Sequence, residues 1–412
     1  MGLRGPGGHG VVTRPGKVVI VGGSSAGLAT AEALRRQGYE GRLTLLDAER
    51  HLPYDRPPLS KQVLTGAWEP SRTQLRSQEH LASLEAEFIR AEPAVMCDAE
   101  ERAVTTATGR VVRGDALVIA TGLRPRILPD QEELAGVHVL RTLDDALALR
   151  CDLAAGRRLV VVGEGVLGAE IAASARGMGV EVTLAGFGSV LLGSQVGGRV
   201  GGFLTRLHTE RGADLRLGVA VEALDGSGGR VCGVRLASGE VLRADTVVVA
   251  IGARPATEWL EGSGLALGDG VECDAYCRAA PGVYAVGDAA SWHHEGLDRR
   301  LRLENRTNAT EQAQAVAANL LGAERPYTPT PYFWTDQYDA KLQVHGLPTP
   351  AAETHIAEGD PAQGRFVAVY RENGEVTGVL GWNMPKQARL LRQKHLVTPR
   401  NGQPATTVRS TP

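Results

Sequence analysis

The sequence predicts an α/β protein: two doubly wound parallel-sheet units, each opened by a glycine turn, followed by a small α+β part. Three observations carry this expectation. Apolar strand patterns run straight into glycine-rich turns at Lys17-Val18-Val19-Ile20-Val21-Gly22-Gly23-Ser24-Ser25-Ala26-Gly27 and at Leu159-Val160-Val161-Val162-Gly163-Glu164-Gly165-Val166-Leu167-Gly168. Two further apolar strands, Leu117-Val118-Ile119-Ala120 and Val247-Val248-Val249-Ala250, end in the turns Thr121-Gly122 and Ile251-Gly252. From about Tyr327 the pattern changes to alternating, strand-like pieces.

The first turn is followed by helix-period apolar residues from Leu28 to Gln37, closed by Gly38. Leu43-Thr44-Leu45-Leu46 then reads as a second strand, with Asp47 and Glu49 at its end. A tight turn of this kind brings backbone N–H groups and a helix N-terminus up to a pyrophosphate, and an acid about twenty residues on holds a ribose hydroxyl. Each turn is therefore expected to bind a dinucleotide. A chain with two such sites most simply passes a hydride from one cofactor to the other. Arg56-Pro57-Pro58-Leu59-Ser60-Lys61 follows the first unit, its prolines stiffening the entry to the next segment.

The second βαβ unit is expected from Leu159 to about Leu217. The two strands ending at Gly122 and Gly252 mark expected crossings, so the first domain (17–121) is interrupted by a second (122–252) and resumes over 253–325. Val283-Tyr284-Ala285-Val286-Gly287-Asp288-Ala289 lies in the resumed part. Pro326, Pro329 and Pro331 mark a linker into a C-terminal domain over 326–398. There Arg365 to Tyr370 and Val376 to Trp382 read as a hairpin about Glu372-Asn373-Gly374-Glu375, and Lys386 to His395 as a basic helix. Residues 1–16 and 399–412 are expected to be a flexible arm and tail.

The 412 residues carry a net charge of −2, and 43% of them are hydrophobic, an ordinary globular balance without the basic excess of a nucleic-acid binder. No apolar run is long enough to span a bilayer, and no signal peptide is visible, so a cytoplasmic protein without membrane partners is expected. The cysteines are Cys97, Cys151, Cys232, Cys273 and Cys277; none forms a CxxC pair, and structural thiols are expected rather than a metal or redox site.

These pieces in this order resemble the FAD-dependent pyridine-nucleotide oxidoreductases, whose fold is glutathione-reductase-like with two Rossmann-like domains. More narrowly they look like the oxygenase-coupled ferredoxin and rubredoxin reductases. The resemblance runs from Val18 to Lys394 and rests on Leu52-Pro53-Tyr54-Asp55-Arg56-Pro57-Pro58-Leu59-Ser60-Lys61, Ala120-Thr121-Gly122, Gly287-Asp288-Ala289 and Pro331-Tyr332-Phe333-Trp334-Thr335-Asp336-Gln337-Tyr338.

The resemblance implies FAD at the first turn, held by Gly22, Ser25, Ala26 and Gly27. Ser24 replaces the middle glycine of the usual turn, a place where its hydroxyl can bond a phosphate oxygen. The ribose acid of relatives falls nearest Ala48, and Asp47 or Glu49 is expected to substitute. Asp288 is implied at the ribityl chain, with Arg141 and the backbone near Ala94 at the nucleotide end. Arg56, Thr121, Gly122 and Gly252 complete the implied cofactor-binding set, together with Arg306, which stands where relatives carry an aromatic, and Trp334, which lines an exit path for electrons.

Lys61 and its acidic partner Glu170 are the implied catalytic pair. Gly163, Gly165, Val166, Leu167 and Gly168 are implied to hold NADH, with NADPH possible. After Val182-Thr183-Leu184 the chain reads Ala185-Gly186-Phe187, so neither an acid for a 2′-hydroxyl nor an arginine for a 2′-phosphate is expected at that strand end.

From Gly22 to Thr65 there is no cysteine, so the cysteine-based disulfide reductases and peroxidases of the superfamily are excluded. An acidic iron–sulfur ferredoxin, feeding a cytochrome P450 or a Rieske oxygenase, is the implied acceptor, steered by Arg389, Arg392 and Lys394 on one face of the C-terminal helix. A rubredoxin reductase, a diaphorase with another acceptor, and an NADH-sensing interaction protein remain open alternatives.

Overall fold

A computed structural model describes residues 14–396; the expected arm and tail lie outside the described residues except for 14–16. The chain forms two compact units. The first comprises residues up to 55, 74–124 and 254–328; the second comprises 56–73, 125–253 and 329 onward.

In the first unit a six-stranded sheet runs in the order Arg278–Ala280, Val283–Ala285, Ala116–Ile119, Lys17–Val21, Arg42–Leu46, Ala86–Ile89. All neighbours are parallel except the first pair. Val18, Val19, Ile20, Leu117, Val118 and Ile119 are fully buried, which is why these strands read as unbroken apolar runs rather than alternating ones. Helix Ser25–Arg36 buries Ala26, Ala29, Ala31 and Ala33 and packs on helix Arg306–Leu320, whose inner face is Ala309, Ala313, Val316 and Ala317. The chain leaves this unit after Asp55 and returns at Gln74, where Tyr54 and Gln74 form a β-bridge and the Leu75 N–H donates to the Pro53 carbonyl at 2.8 Å.

In the second unit five parallel strands are ordered Asp214–Leu217, Glu181–Gly186, Arg158–Val162, Thr246–Val249, Val137–His138. A three-stranded antiparallel layer, Val221–Ser227, Arg230–Leu236 and Val241–Arg243, covers it through Val231, Val234 and Leu236. The same unit holds a five-stranded antiparallel sheet, in order Tyr332–Gln337, Ala340–Gly346, Glu375–Trp382, Arg365–Glu372, Glu353–Asp360. The expected hairpin over 365–382 forms two neighbouring antiparallel strands of this sheet, and helix Pro385–His395 lays Ala388 onto Val367, Val369 and Val379.

This sheet is joined to the parallel layer by helix Gly193–Glu210. The Tyr370 hydroxyl donates to the Val196 carbonyl at 2.8 Å, and the Phe203 ring meets fully buried Phe366 edge-on at 5.5 Å. Phe366 also packs on Trp382 at 5.3 Å. Phe366→Ala is expected to lose about 3–5 kcal/mol, because neighbours held by a helix and by the adjoining strand cannot fully collapse into the void; urea denaturation followed by tryptophan fluorescence measures it.

Candidate active site

The two glycine turns are built to one plan. Gly22 and Gly163 adopt φ of +107° and +119°, and a Cβ there would stand 2.2 Å from the Ala120 carbonyl oxygen and 2.3 Å from that of Ala250. Gly27 and Gly168, inside the following helices, bring the helix against the turn: a Cβ would lie 1.8 Å from the Gly22 oxygen and 2.0 Å from the Gly163 oxygen. Only glycine permits either approach. The helices Ser25–Arg36 and Val166–Gly177 therefore begin directly over bare backbone. Their first N–H groups, of Ser25, Ala26 and Gly27 and of Val166, Leu167 and Gly168, have no acceptor within the helix. Neither first turn carries an acid, and Ser24 caps its helix through the backbone without using its hydroxyl. These cradles, with bare glycine backbone at the close approaches and rich in donors, fit a pyrophosphate.

Around the first turn, the Asp47 carboxylate lies against Gly23, and its Oδ1 accepts the Glu49 N–H at 3.2 Å. The Glu49 carboxylate accepts from the Tyr54 hydroxyl. Thr121 donates to the Ala256 carbonyl at 2.8 Å, and the Ala256 N–H to the Gly122 oxygen at 2.9 Å. Asp288 sits in the short helical turn Gly287–Ala289, where the Gly287 N–H donates to Gln312 at 2.8 Å. Ala94 opens the strand Ala94–Asp98, paired with Thr106. Arg306 begins its helix with Nε on the Asp55 carboxylate at 2.8 Å, so the guanidinium takes up the position as half of an ion pair.

In the second unit, Pro57 and Pro58 lead into a wide π-turn over Leu59–Val63 that carries Lys61. The Ser60 carbonyl accepts from Ser174 at 2.6 Å, tying this turn to the helix Val166–Gly177. Lys61 Nζ stands 2.6 Å from Glu170 Oε2. The same Glu170 oxygen accepts from the Ser60 hydroxyl at 2.6 Å, while Oε1 accepts from Thr335 at 2.8 Å. Gln337 donates to the Thr335 hydroxyl at 3.1 Å, and its Oε1 lies 2.9 Å from His208 Nε2. The expected pair is thus the end of a longer buried chain. Thr335 and Gln337 lie in the C-terminal motif and Ser60 beside Lys61, but their roles there carry no sequence signal; His208 comes from a helix with no motif at all.

Desolvation raises the Asp336 carboxyl above its ordinary range, with Lys61 opposing and Glu170 adding to the rise. Burial lowers the His208 ring to about 4.

Arg56 donates to the Arg141 carbonyl at 2.5 Å, and Arg141 precedes the capping box Thr142–Asp145 of helix Leu143–Asp152. Gly252, φ +94°, accepts from the Arg126 N–H at 3.0 Å. Trp334 is half-buried and stacks on Tyr332 at 6.0 Å between centroids. Arg389 and Arg392 lie near His345, which burial and these two cations lower to about 4, and Arg389 also lies near Tyr332. One expectation is corrected: at 3.6 residues per turn Lys394 lies about 140° round the helix from Arg389, so it does not share their face. A second is corrected too: the strand end at Gly186 does have an acid beside it, Glu164 from the turn, whose Oε1 accepts the Gly188 N–H at 3.0 Å. Cys273 and Cys277 are buried free thiols, the latter pushed up to about 12 by burial and bonded to Gln312, which makes both poor nucleophiles. Among the described residues no helix is long and apolar enough to cross a membrane.

Two cradles that fit a pyrophosphate and a buried lysine–carboxylate pair place the chain among the pyridine-nucleotide oxidoreductases. Residues 16–313 match the pyridine nucleotide-disulphide oxidoreductase family and residues 332–405 the reductase C-terminal family. The chain belongs to the pyridine nucleotide-disulphide oxidoreductase family. It is 35% identical over 371 residues to rhodocoxin reductase of Rhodococcus erythropolis, covering 90% of this chain and 87% of the relative. It is 38% identical over 385 residues to the ferredoxin–NAD(+) reductase component of the p-cumate 2,3-dioxygenase system of Pseudomonas putida, covering 92% of each. Among solved structures, a chain of the covalent putidaredoxin reductase–putidaredoxin complex superposes with a TM-score of 0.87 at 33% identity, over 92% of each chain.

His208 is neutral when folded, since its other nitrogen, Nδ1, is buried without a partner. Its folded value of about 4 lies below its ordinary 6.5, so the unfolded chain binds the proton first as pH falls. Stability is full above pH 6.5 and is expected to drop by about 3 kcal/mol towards pH 4 on account of this ring. Urea denaturation at pH 7 and pH 4.5 checks it: His208→Gln should show a smaller difference between the two than the parent.

Proposed function

We propose that the chain is an NAD(P)H:ferredoxin reductase, with FAD at the first turn and the nicotinamide dinucleotide at the second. The observation that carries this reading is the matched pair of glycine cradles, supported by the oxygenase-system names of the relatives. In this reading residues 17–121 and 253–325 form the FAD-binding domain, 122–252 the NAD(P)H domain and 326–398 the C-terminal interface domain. Bound FAD would supply the redox chemistry, able to accept a hydride and to release electrons one at a time.

The protein's own groups bind and bias. The first-turn N–H groups of Ser25–Gly27 and Val166–Gly168 hold the two pyrophosphates, with Asp47, Glu49, Asp288 and the Ala94 backbone around the flavin nucleotide. Lys61 holds a fixed positive charge for the negative charge that builds on reduction. Glu170 keeps the Lys61 ammonium in one position, and Ser60 and Thr335 fix the Glu170 carboxylate by donating to it. Arg306, paired with Asp55, replaces a stacking ring by a charged group, which alters nicotinamide packing. Tyr332 and Trp334, with Arg389 and Arg392 beside them, form the face on which an acidic iron–sulfur ferredoxin docks and through which a cytochrome P450 or Rieske oxygenase is supplied. The need for a nicotinamide donor supports a cytoplasmic setting.

Lys61→Ala is expected to slow bleaching of the flavin by NADH about a hundredfold in stopped-flow absorbance; an unchanged rate removes Lys61 from the chemistry. NADH-driven cytochrome c reduction should rise strongly on adding a [2Fe–2S] ferredoxin. Arg389→Glu with Arg392→Glu should weaken that rise most at low salt, where the attraction is least screened. Cytochrome c reduction that ignores ferredoxin would favour another acceptor.

A further inference from the structure

Within the second unit, the acid missing from the strand end is supplied by the glycine turn itself. Strand registers align the two halves residue by residue. Val21 pairs with Leu46 as Val162 pairs with Ala185, and the Gly22 N–H donates to the Leu46 oxygen at 2.7 Å as the Gly163 N–H does to the Ala185 oxygen at 2.8 Å. Gly23 therefore corresponds to Glu164, and Asp47 to Gly186. In the first half the acid is on the strand and the glycine in the turn: a Cβ on Gly23 would meet Asp47 Oδ2 at 2.5 Å. In the second half the two have changed places: a Cβ on Gly186 would meet Glu164 Oε2 at 2.1 Å and Glu164 Cβ at 2.8 Å. The longer glutamate side chain crosses from the turn to the strand, and the missing side chain at Gly186 leaves room for it.

We propose that Glu164 is the ribose-binding acid of the second dinucleotide site and sets a preference for NADH over NADPH. This rests on the reading of the second turn as the NAD(P)H site. Carboxylates at this point of a dinucleotide fold accept from the adenosine 2′-hydroxyl, and the same charge repels a 2′-phosphate. The Gly188 N–H fixes the carboxylate through Oε1 at 3.0 Å, and Oε2 stands over Gly186. No cation offsets the charge from the adjoining strand: Arg216, opposite Ala185, is held by Glu240 at 3.0 Å and by Asp214. Phe187, 80% exposed beside Gly186, offers a ring face to an adenine.

The experiment is calorimetry on the oxidised holoenzyme with ADP-ribose and 2′-phospho-ADP-ribose, paired with kcat/KM for NADH and NADPH. The parent should prefer ADP-ribose. Glu164→Gly and Glu164→Gln should erase most of that preference, Glu164→Gly weakening ADP-ribose about 10- to 100-fold, the range lost with one hydrogen bond to a charged group. The double variant Glu164→Gly with Gly186→Asp copies the first half and should regain the preference. An unchanged ratio in both single variants, with flavin retained, overturns the role of Glu164, as does a parent that prefers the 2′-phosphate. Gly165→Phe separates the two readings, because a Cβ there meets nothing within 4 Å and the side chain starts from open space at the cradle; an unchanged urea midpoint confirms that the fold is kept. Loss of both ligands in it, with flavin retained, upholds the second turn as the nucleotide site; full binding of both overturns that assignment and this proposal with it.

Discussion

The Glu170 carboxylate collects three donors from two separate stretches of chain, and the second unit is organised about it. Ser60 and Lys61 arrive on the π-turn and Thr335 on the antiparallel sheet, while Glu170 itself rises from the helix that begins at the second glycine turn. A buried charge is costly unless every lone pair is used. Here that demand fastens the C-terminal sheet and the 56–73 excursion to the helix that begins at the second glycine turn. Substitutions in the C-terminal sheet thus bear on the lysine although they lie far from it in sequence. The chain of bonds continues through Gln337 to His208, so polarity runs from the lysine into the packing between layers.

Internal repetition shows which features the cradle physically requires. Both halves keep the positive-φ glycine beneath a crossing strand and the helical glycine that lets the helix touch the turn. Where contact with the ligand, rather than backbone clearance, sets the requirement, the halves diverge. Ser24 stands opposite Gly165, and acid and glycine exchange sides between Gly23–Asp47 and Glu164–Gly186. Steric exclusion by backbone allows one residue type, whereas a carboxylate can reach the same point from either strand or turn.

The antiparallel sheet contributes chemistry of a different kind. Its first strand sets two half-buried aromatic rings, Tyr332 and Trp334, close to His345, which burial and the cations Arg392 and Arg389 lower. Rings flanked by guanidinium groups suit a weak, fast, salt-sensitive encounter better than a tight one, as an electron carrier that must leave again requires.

Apart from the Lys61–Glu170 pair, which the family resemblance implied, the sequence by itself determined the α/β class, both glycine turns, the second βαβ unit ending near Leu217 and the 365–382 hairpin. These are encoded by local signals: unbroken apolar strands, glycines that no other residue can replace, and motifs short enough to read. Only the tertiary structure decided the rest, because it joins residues without common motif or spacing. Glu164 looked like a mere turn residue until the register placed it over Gly186; His208 gave no sign of contact with Gln337; Arg306 showed its Asp55 partner only across 251 residues of chain. Lys394 belongs to the same run of basic residues as Arg389 and Arg392, but the helix turns it about 140° away from Arg389. Strand register, side-chain reach and burial are properties of packed elements, and a linear pattern does not contain them.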